Sequence, residues 1–190
     1  MGLRKEPLVT SVVIVGHPDL SASRLSAALT KAARTVPGVD VRVLTERYPD
    51  GRIDVPAEQA ALAAASDIVL LYPTYWYSPP APLKHWLDEV LLRGWAYGTG
   101  GAGALAGKSL RVVTTTGGAE AAYRDGELHS FEYDAILAPL KATAHRLGMR
   151  WRPPLVVHGV RDLDQQDIDA LTGRFVDLVD GRTEQEKEAA

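Results

Sequence analysis

The chain of 190 residues contains no cysteine, and it has only two methionines and two phenylalanines. Without cysteine it can form no disulfide bond, and it offers no thiol nucleophile and no thiolate ligand for zinc or an iron–sulfur cluster. Any redox chemistry must therefore come from a bound cofactor. The length suits one ordinary domain that buries a single core without a covalent or metal staple.

Long apolar runs and an excess of positive charge are also missing. No run approaches the roughly 20 apolar residues of a membrane span. The net charge of −3 gives no basic surface of the kind that binds nucleic acid. We therefore expect a cytoplasmic protein with no nucleic-acid partner. Its expected organisation is an N-terminal arm over residues 1–10, one domain over residues 11–182 and a charged tail over residues 183–190.

Short apolar runs alternate with amphipathic segments along the chain, which is typical of a mostly parallel sheet covered by helices on both faces. The pattern predicts the α/β class, as a three-layer, doubly wound parallel sheet of five strands in the flavodoxin-like order 2-1-3-4-5. Strand two alternates valines with Asp40 and Arg42, as a half-exposed edge strand does. The predicted strands are Val12–Val15, Val39–Val43, Ile68–Tyr72, Leu110–Thr114 and Met149–Val157, the last placed at an edge by Pro153 and Pro154.

The unusual residues follow strands one, three and four, whose carboxyl ends meet where ligands bind in such sheets. The first loop, Gly16–Ser23, runs into a helix N-terminus, where free N–H groups and the helix dipole attract an anion. Serine hydroxyls and basic side chains add to this attraction. Alternatively, one serine only caps the helix. The candidate anion ligands are His17, Ser21, Ser23 and Arg24.

The second loop, Pro73–Pro80, carries three aromatic residues at an exposed strand end, which suits a flat ring more than a sugar or a metal. Its alternative role is to anchor the following helix. The candidate ring contacts are Thr74, Tyr75, Trp76 and Tyr77.

The third loop combines paired glycines, which let the backbone approach a ligand, with two side chains that can donate protons to it. Alternatively, the glycines form a simple turn and the two side chains are structural. The backbone candidates are Thr115, Thr116, Gly117 and Gly118, and the catalytic candidates are Tyr123 and His129.

Two other kinds of site have weaker support. The segment Ala102–Ser109 matches a relaxed phosphate-loop pattern, but it leads into a strand instead of opening a helix, which argues against a nucleotide triphosphatase. The five histidines show no i, i+4 or acidic pairing on a shared face, so no metal site is predicted.

Together, these motifs resemble the flavodoxin-fold NAD(P)H:quinone oxidoreductases. The likeness is greatest to the bacterial type that serves as ancillary subunit of glutathione-gated potassium efflux systems. It covers residues 11–160 and includes the helix Leu83–Asp88 and the segment Gly94–Gly98. The resemblance implies that the first loop holds a flavin phosphate and that the second and third loops hold the ring. It also implies that Tyr123 and His129 lie beside the reduced flavin.

By the same resemblance, the activity is two-electron reduction of quinones by NAD(P)H, with FMN as cofactor and FAD as the alternative. Arg24 replaces the small polar residue usual in the family, which leaves the choice of flavin open. A homodimer with two sites at its interface is implied, and Trp95 and Tyr97 are candidate contacts. Because nicotinamide and quinone would use one ring face in turn, we expect ping-pong hydride transfer. Alternatives are a redox-sensing regulatory subunit of a potassium efflux transporter, an azo- or nitro-reductase, and an electron carrier.

Overall fold

A computed structural model describes residues 10–98 and 103–180 of the protein. The charged tail and nearly all of the N-terminal arm predicted from the sequence lie outside the described residues.

The sheet is parallel and has the predicted order, β2-β1-β3-β4-β5. The predicted fifth strand is not continuous, because its two segments β5 and β6 both pair with β4 and are separated by residues 152–154. Pro153 and Pro154 explain the break, since proline has no N–H to donate to a neighbouring strand. The strands are β1 Ser11–Val15, β2 Val39–Val43, β3 Asp67–Pro73, β4 Ser109–Thr115, β5 Arg150–Trp151 and β6 Leu155–Val157.

Seven α-helices connect the strands in the described part of the chain. Ser23 and Asp54 are the N-caps of α1 and α3, and the start of α1 is where the sequence predicts a helix after the first loop. Two one-turn helices, α2 and α5, were not predicted. The helices are α1 Arg24–Ala33, α2 Leu44–Arg47, α3 Val55–Ala64, α4 Ala81–Val90, α5 Tyr133–Ile136, α6 Ala138–Arg146 and α7 Gln165–Val179.

Alternate side chains of the central strands enter two separate cores, which makes the molecule three-layered. Val12 and Ile14 of β1 pack with residues of α3, α4 and α6, whereas Val13 and Val15 pack with residues of α1 and α7. Because both faces of β1, β3 and β4 are covered, nearly all of their residues are buried, and β1 and β3 are mainly apolar. Their carboxyl ends are left as the place for a ligand crevice.

The β2 strand departs from the sequence prediction at Arg42, which was expected on a half-exposed edge but is buried. Its guanidinium donates to the fully buried carboxylate of Glu58 on α3, with Nη2 2.7 Å from Oε1. The Trp86 indole N–H on α4 donates to the same carboxylate at 3.0 Å, and the Tyr48 hydroxyl also contacts it. This cluster, Arg42, Tyr48, Glu58 and Trp86, ties β2, α3 and α4 together.

Candidate functional site

The loops after β3 and β4 lie against each other beyond the carboxyl ends of the strands. The Thr74 N–H donates to the Thr115 carbonyl at 2.8 Å. The loop after β1 is held to the same region by Gly16, where a Cβ would stand 2.4 Å from the Cβ of Leu83 on α4. Only glycine fits such an approach. The three predicted loops therefore occupy one end of the sheet.

The first loop is organised by Asp19, which the sequence analysis did not select. The Asp19 carboxylate accepts from the Ser21 N–H at 3.1 Å and from the Ser21 hydroxyl at 2.6 Å. Nδ1 of His17 accepts from the Asp19 N–H at 3.1 Å. Burial lowers the pKa of His17, although the nearby Asp19 charge opposes the shift. The imidazole of His17 thus acts in this loop as a neutral acceptor.

Ser23 and Arg24 stand at the start of α1. The Ser23 side-chain oxygen accepts from the Ser26 N–H at 3.1 Å, so this serine is the N-cap of the helix. A hydroxyl that accepts one bond still has its own proton to donate, so capping and anion binding are compatible. Arg24 donates to the Leu163 carbonyl at 3.1 Å, which links α1 to the segment after β6.

The second loop is a tight two-residue hairpin with unusual backbone angles. Tyr75 and Ser78 exchange two backbone hydrogen bonds, and the residues between them, Trp76 and Tyr77, have φ values of 48° and 62°. Such hairpins normally place glycine or asparagine at these positions, and bulky residues there are strained. The Trp76 side chain is nevertheless 90% exposed. These aromatic side chains are thus exposed to solvent on a strained backbone turn.

Thr74 and Thr116 lie beneath the second and third loops. The Thr74 hydroxyl is hydrogen-bonded to the Thr114 hydroxyl at 2.8 Å and to the Tyr133 hydroxyl. The Thr116 hydroxyl accepts from the Gly118 N–H at 3.2 Å and is hydrogen-bonded to the Tyr123 hydroxyl. Tyr123 is only 5% exposed. Its hydroxyl, predicted to face a ligand, is therefore engaged inside the protein.

His129 joins the two loops. Its ring stacks on Tyr123 with centroids 4.1 Å apart, and its Nδ1 lies 3.3 Å from the Tyr77 hydroxyl. The other ring nitrogen, Nε2, is buried and has no hydrogen-bond partner among the described residues. A Cβ on Gly118 would stand 2.8 Å from this atom, so the second glycine is needed for the histidine to fit.

Two aromatic residues at this site were missed by the sequence analysis. The rings of Tyr133 and His158 lie 5.0 Å and 5.2 Å from Tyr123. Burial raises the pKa of Tyr133 and lowers that of His158, in the latter case against the opposing charge of Glu120. His158 follows β6, so its position after a strand at the same sheet end was the signal that could have identified it.

A cavity of about 570 Å³ opens beside the joined loops, within the size range of small-molecule sites. A second cavity of about 630 Å³ runs between α4 and α6 and shares Tyr77 and Ile136 with the first. The first cavity is lined by Tyr77, Leu128, His129, Ser130, Phe131, Ala135 and Ile136.

Over residues 10–98 and 103–180, no group of three or more acidic or histidine side chains is placed to hold a metal ion. None of the helices in these ranges has the length and apolar character to cross a membrane.

The fold and the three loops define a class: a doubly wound α/β protein with an anion-attracting helix start and exposed aromatic rings at one sheet end. A family model described as flavodoxin-like fold matches residues 10–178, and the chain belongs to this family. The glutathione-regulated potassium-efflux system ancillary protein KefF of Klebsiella aerogenes is 42% identical over 164 residues, covering 86% of this chain and 91% of that protein.

Two solved structures extend the comparison. General stress protein 14 from Treponema denticola, in complex with FMN, is 31% identical with a TM-score of 0.85, covering 90% of this chain and 98% of that chain. An NADPH-quinone reductase from P. pentosaceus is 29% identical with a TM-score of 0.80, covering 90% and 97%.

Proposed function

We propose that the protein is a flavin-dependent oxidoreductase that reduces quinones by two electrons at the expense of NAD(P)H in ping-pong turnover, with FMN as cofactor. The observation that carries the proposal is the Tyr77–His129 contact, which joins the aromatic hairpin to the paired glycines beside a cavity. The FMN complex of the stress protein supports FMN as the cofactor, and the similarity to the NADPH-quinone reductase supports the reaction.

The residues present fit a flavin. Ser23 and Arg24 at the start of α1 would hold its phosphate, helped by the helix dipole. The backbone and aromatic rings of residues 74–77 and the backbone of residues 115–118 would hold the isoalloxazine ring. When bound, a flavin accepts hydride from a nicotinamide and passes two electrons to an acceptor.

The protein side chains would then supply orientation and protons. Nε2 of His129 is a buried polar atom without a partner in the described part of the chain, and such atoms are costly unless a ligand satisfies them. Because it lies between the aromatic hairpin and the paired glycines beside the cavity, the His129 imidazole is placed to exchange a proton with the bound reactants. Tyr123 would act mainly by holding the histidine ring in place.

A regulatory role is the second candidate, because the 42% identical relative is an ancillary protein of a potassium-efflux system. We propose a membrane transporter as a partner in that case. The working assembly would be a homodimer in the cytoplasm, with one domain over residues 11–182, for which the family match over residues 10–178 is the support.

The first test is the visible spectrum of the purified protein incubated with FMN or FAD, followed by anaerobic addition of NADPH or NADH. We expect a retained band near 450 nm with FMN that either nicotinamide bleaches and a quinone restores. Retained flavin that neither nicotinamide bleaches would favour the sensor or electron carrier. Failure to retain any flavin would refute the proposal.

A further inference from the structure

We infer that Arg161, together with the backbone N–H of Gly117, forms the anion site that recognises the negatively charged, reduced form of the bound flavin. This inference rests on the proposed function. The negative charge of a reduced flavin lies on the pyrimidine edge of its ring, and hydrogen-bond donors aimed there favour the reduced state.

Two of the hydrogen-bond donors that the third loop offers are already in use. Both the Tyr123 hydroxyl and the Gly118 N–H are bonded to the Thr116 hydroxyl. The Thr116 N–H donates to the Val157 carbonyl at 2.9 Å. The Gly117 N–H has no acceptor among the described residues. Of the N–H groups of Thr116, Gly117 and Gly118, it is therefore the one that stays free, at the exposed first glycine.

Arg161 places a cation beside this glycine. Its Nε and Cζ lie 3.4 Å and 3.5 Å from the point where a Cβ on Gly117 would stand. The segment that carries Arg161 is fixed to the loop, because the N–H groups of Gly159 and Val160 donate to the carbonyls of Gly118 and Thr116. The arginine is therefore held next to the glycines by backbone bonds.

The charge of Arg161 is also available. Its guanidinium has no ion pair or hydrogen bond within the described ranges, whereas the Arg42 guanidinium is paired with the carboxylates of Asp40 and Glu58. The carboxylate of the neighbouring Asp162 forms no ion pair with Arg161. It lies near Gly159, with Oδ2 4.0 Å from the point where a Cβ on that glycine would stand. Arginine stays protonated at all relevant pH values and offers several donors, so it suits an anionic edge.

The test compares binding of oxidised and reduced FMN to Arg161→Gln and to wild type, by anaerobic titration and by the midpoint potential of the bound flavin. We expect the variant to bind reduced FMN about tenfold more weakly relative to oxidised FMN, which lowers the two-electron potential by about 30 mV. Arg161→Lys should recover part of this shift. Arg124 is an exposed arginine of the third loop, and Arg124→Gln should leave the midpoint potential unchanged.

Equal weakening of both redox forms would overturn the inference, and if riboflavin binding were unaffected, Arg161 would belong to the phosphate subsite instead. An unchanged potential would make Arg161 an ordinary surface residue. Both results leave the proposed function intact, whereas wild-type protein that binds no flavin in either state would refute both proposals together. Because Arg161 is exposed, the variants should fold, and circular dichroism would check this.

Discussion

Thr116 is the residue that organises the third loop, since its hydroxyl serves both the Gly118 N–H and the Tyr123 hydroxyl. Thr116→Ala would leave the Tyr123 hydroxyl buried without its partner. We expect the free energy of unfolding to fall by about 1–3 kcal/mol, the usual cost of such a group, as measured by urea denaturation. Thr116→Ser keeps the hydroxyl and is the matched control. Equal losses in both variants would assign the effect to the threonine methyl group instead.

At the scale of single residues, the sequence predicted that the three loops lie at one end of the sheet, but not which hydrogen bonds their side chains form. Tyr77 and His129 are indeed in contact, and they come from different loops of the same sheet end. The sequence pattern could not reveal that Thr116 takes the Tyr123 hydroxyl, because that bond depends on the loop geometry after β4. Asp19 was missed for the same reason, since its bonds to Ser21, two residues further on, depend on the conformation of the loop.

The buried cluster of Arg42, Tyr48, Glu58 and Trp86 makes the packing of β2, α3 and α4 dependent on charge. Burial raises the pKa of Glu58, but hydrogen bonds from the other three side chains outweigh this and lower it below its ordinary value. The carboxylate therefore contributes its full stability above about pH 4.3, the value in an unfolded chain, and loses it as the pH falls toward the folded-state pKa.

Glu58→Gln should accordingly cost up to about 3–5 kcal/mol at pH 7, because it removes the buried counter-charge of Arg42 and leaves only the partly exposed Asp40 carboxylate, 2.9 Å from Nη1. Urea denaturation between pH 7 and pH 3 would measure this, and the variant should lack the part of the acid destabilisation due to Glu58. The double variant Arg42→Met/Glu58→Leu removes both charges and should be less destabilised than the single variant. A single variant as stable as wild type at pH 7 would contradict this account.

The regular elements were largely predictable because hydrophobic period and capping residues are local signals. The start of α1 after Ser23 follows from them, and the strand order follows from the alternation of strands and helices along the chain. One-turn helices such as α2 and α5 have too few residues to show a period. Arg42 looked exposed because strand alternation does not reveal that a carboxylate from α3 lies above it.

The strained hairpin at Trp76 and Tyr77 could not be predicted from residue preferences, which favour glycine or asparagine there. The two positive φ values accompany the pair of backbone hydrogen bonds between Tyr75 and Ser78 that closes the turn. Departures of this kind cluster where ligands bind, which supports placing the candidate site at this loop.

At the scale of the whole molecule, exposed apolar side chains gather on one side of the candidate site. Trp76, Leu128 and Phe131 are 90%, 80% and 65% exposed, and the last two line the cavity beside His129. Large exposed apolar groups rimming a site are typical of an interaction surface. This surface is continuous with the second cavity between α4 and α6 through Tyr77 and Ile136.

We expect a homodimer that buries this surface, so that each site is completed by the second copy. Analytical ultracentrifugation should give twice the 20.5 kDa mass of the chain, and Phe131→Asp should shift the protein to monomer and weaken FMN binding. A charged side chain in an apolar contact is costly to bury, which is the reason for both effects. Lys31→Asp, an exposed change on α1 across the sheet, is the matched control and should remain dimeric. Wild-type protein that sediments as a monomer at micromolar concentration would contradict the dimer, and FMN binding by that monomer would show that one chain completes the site.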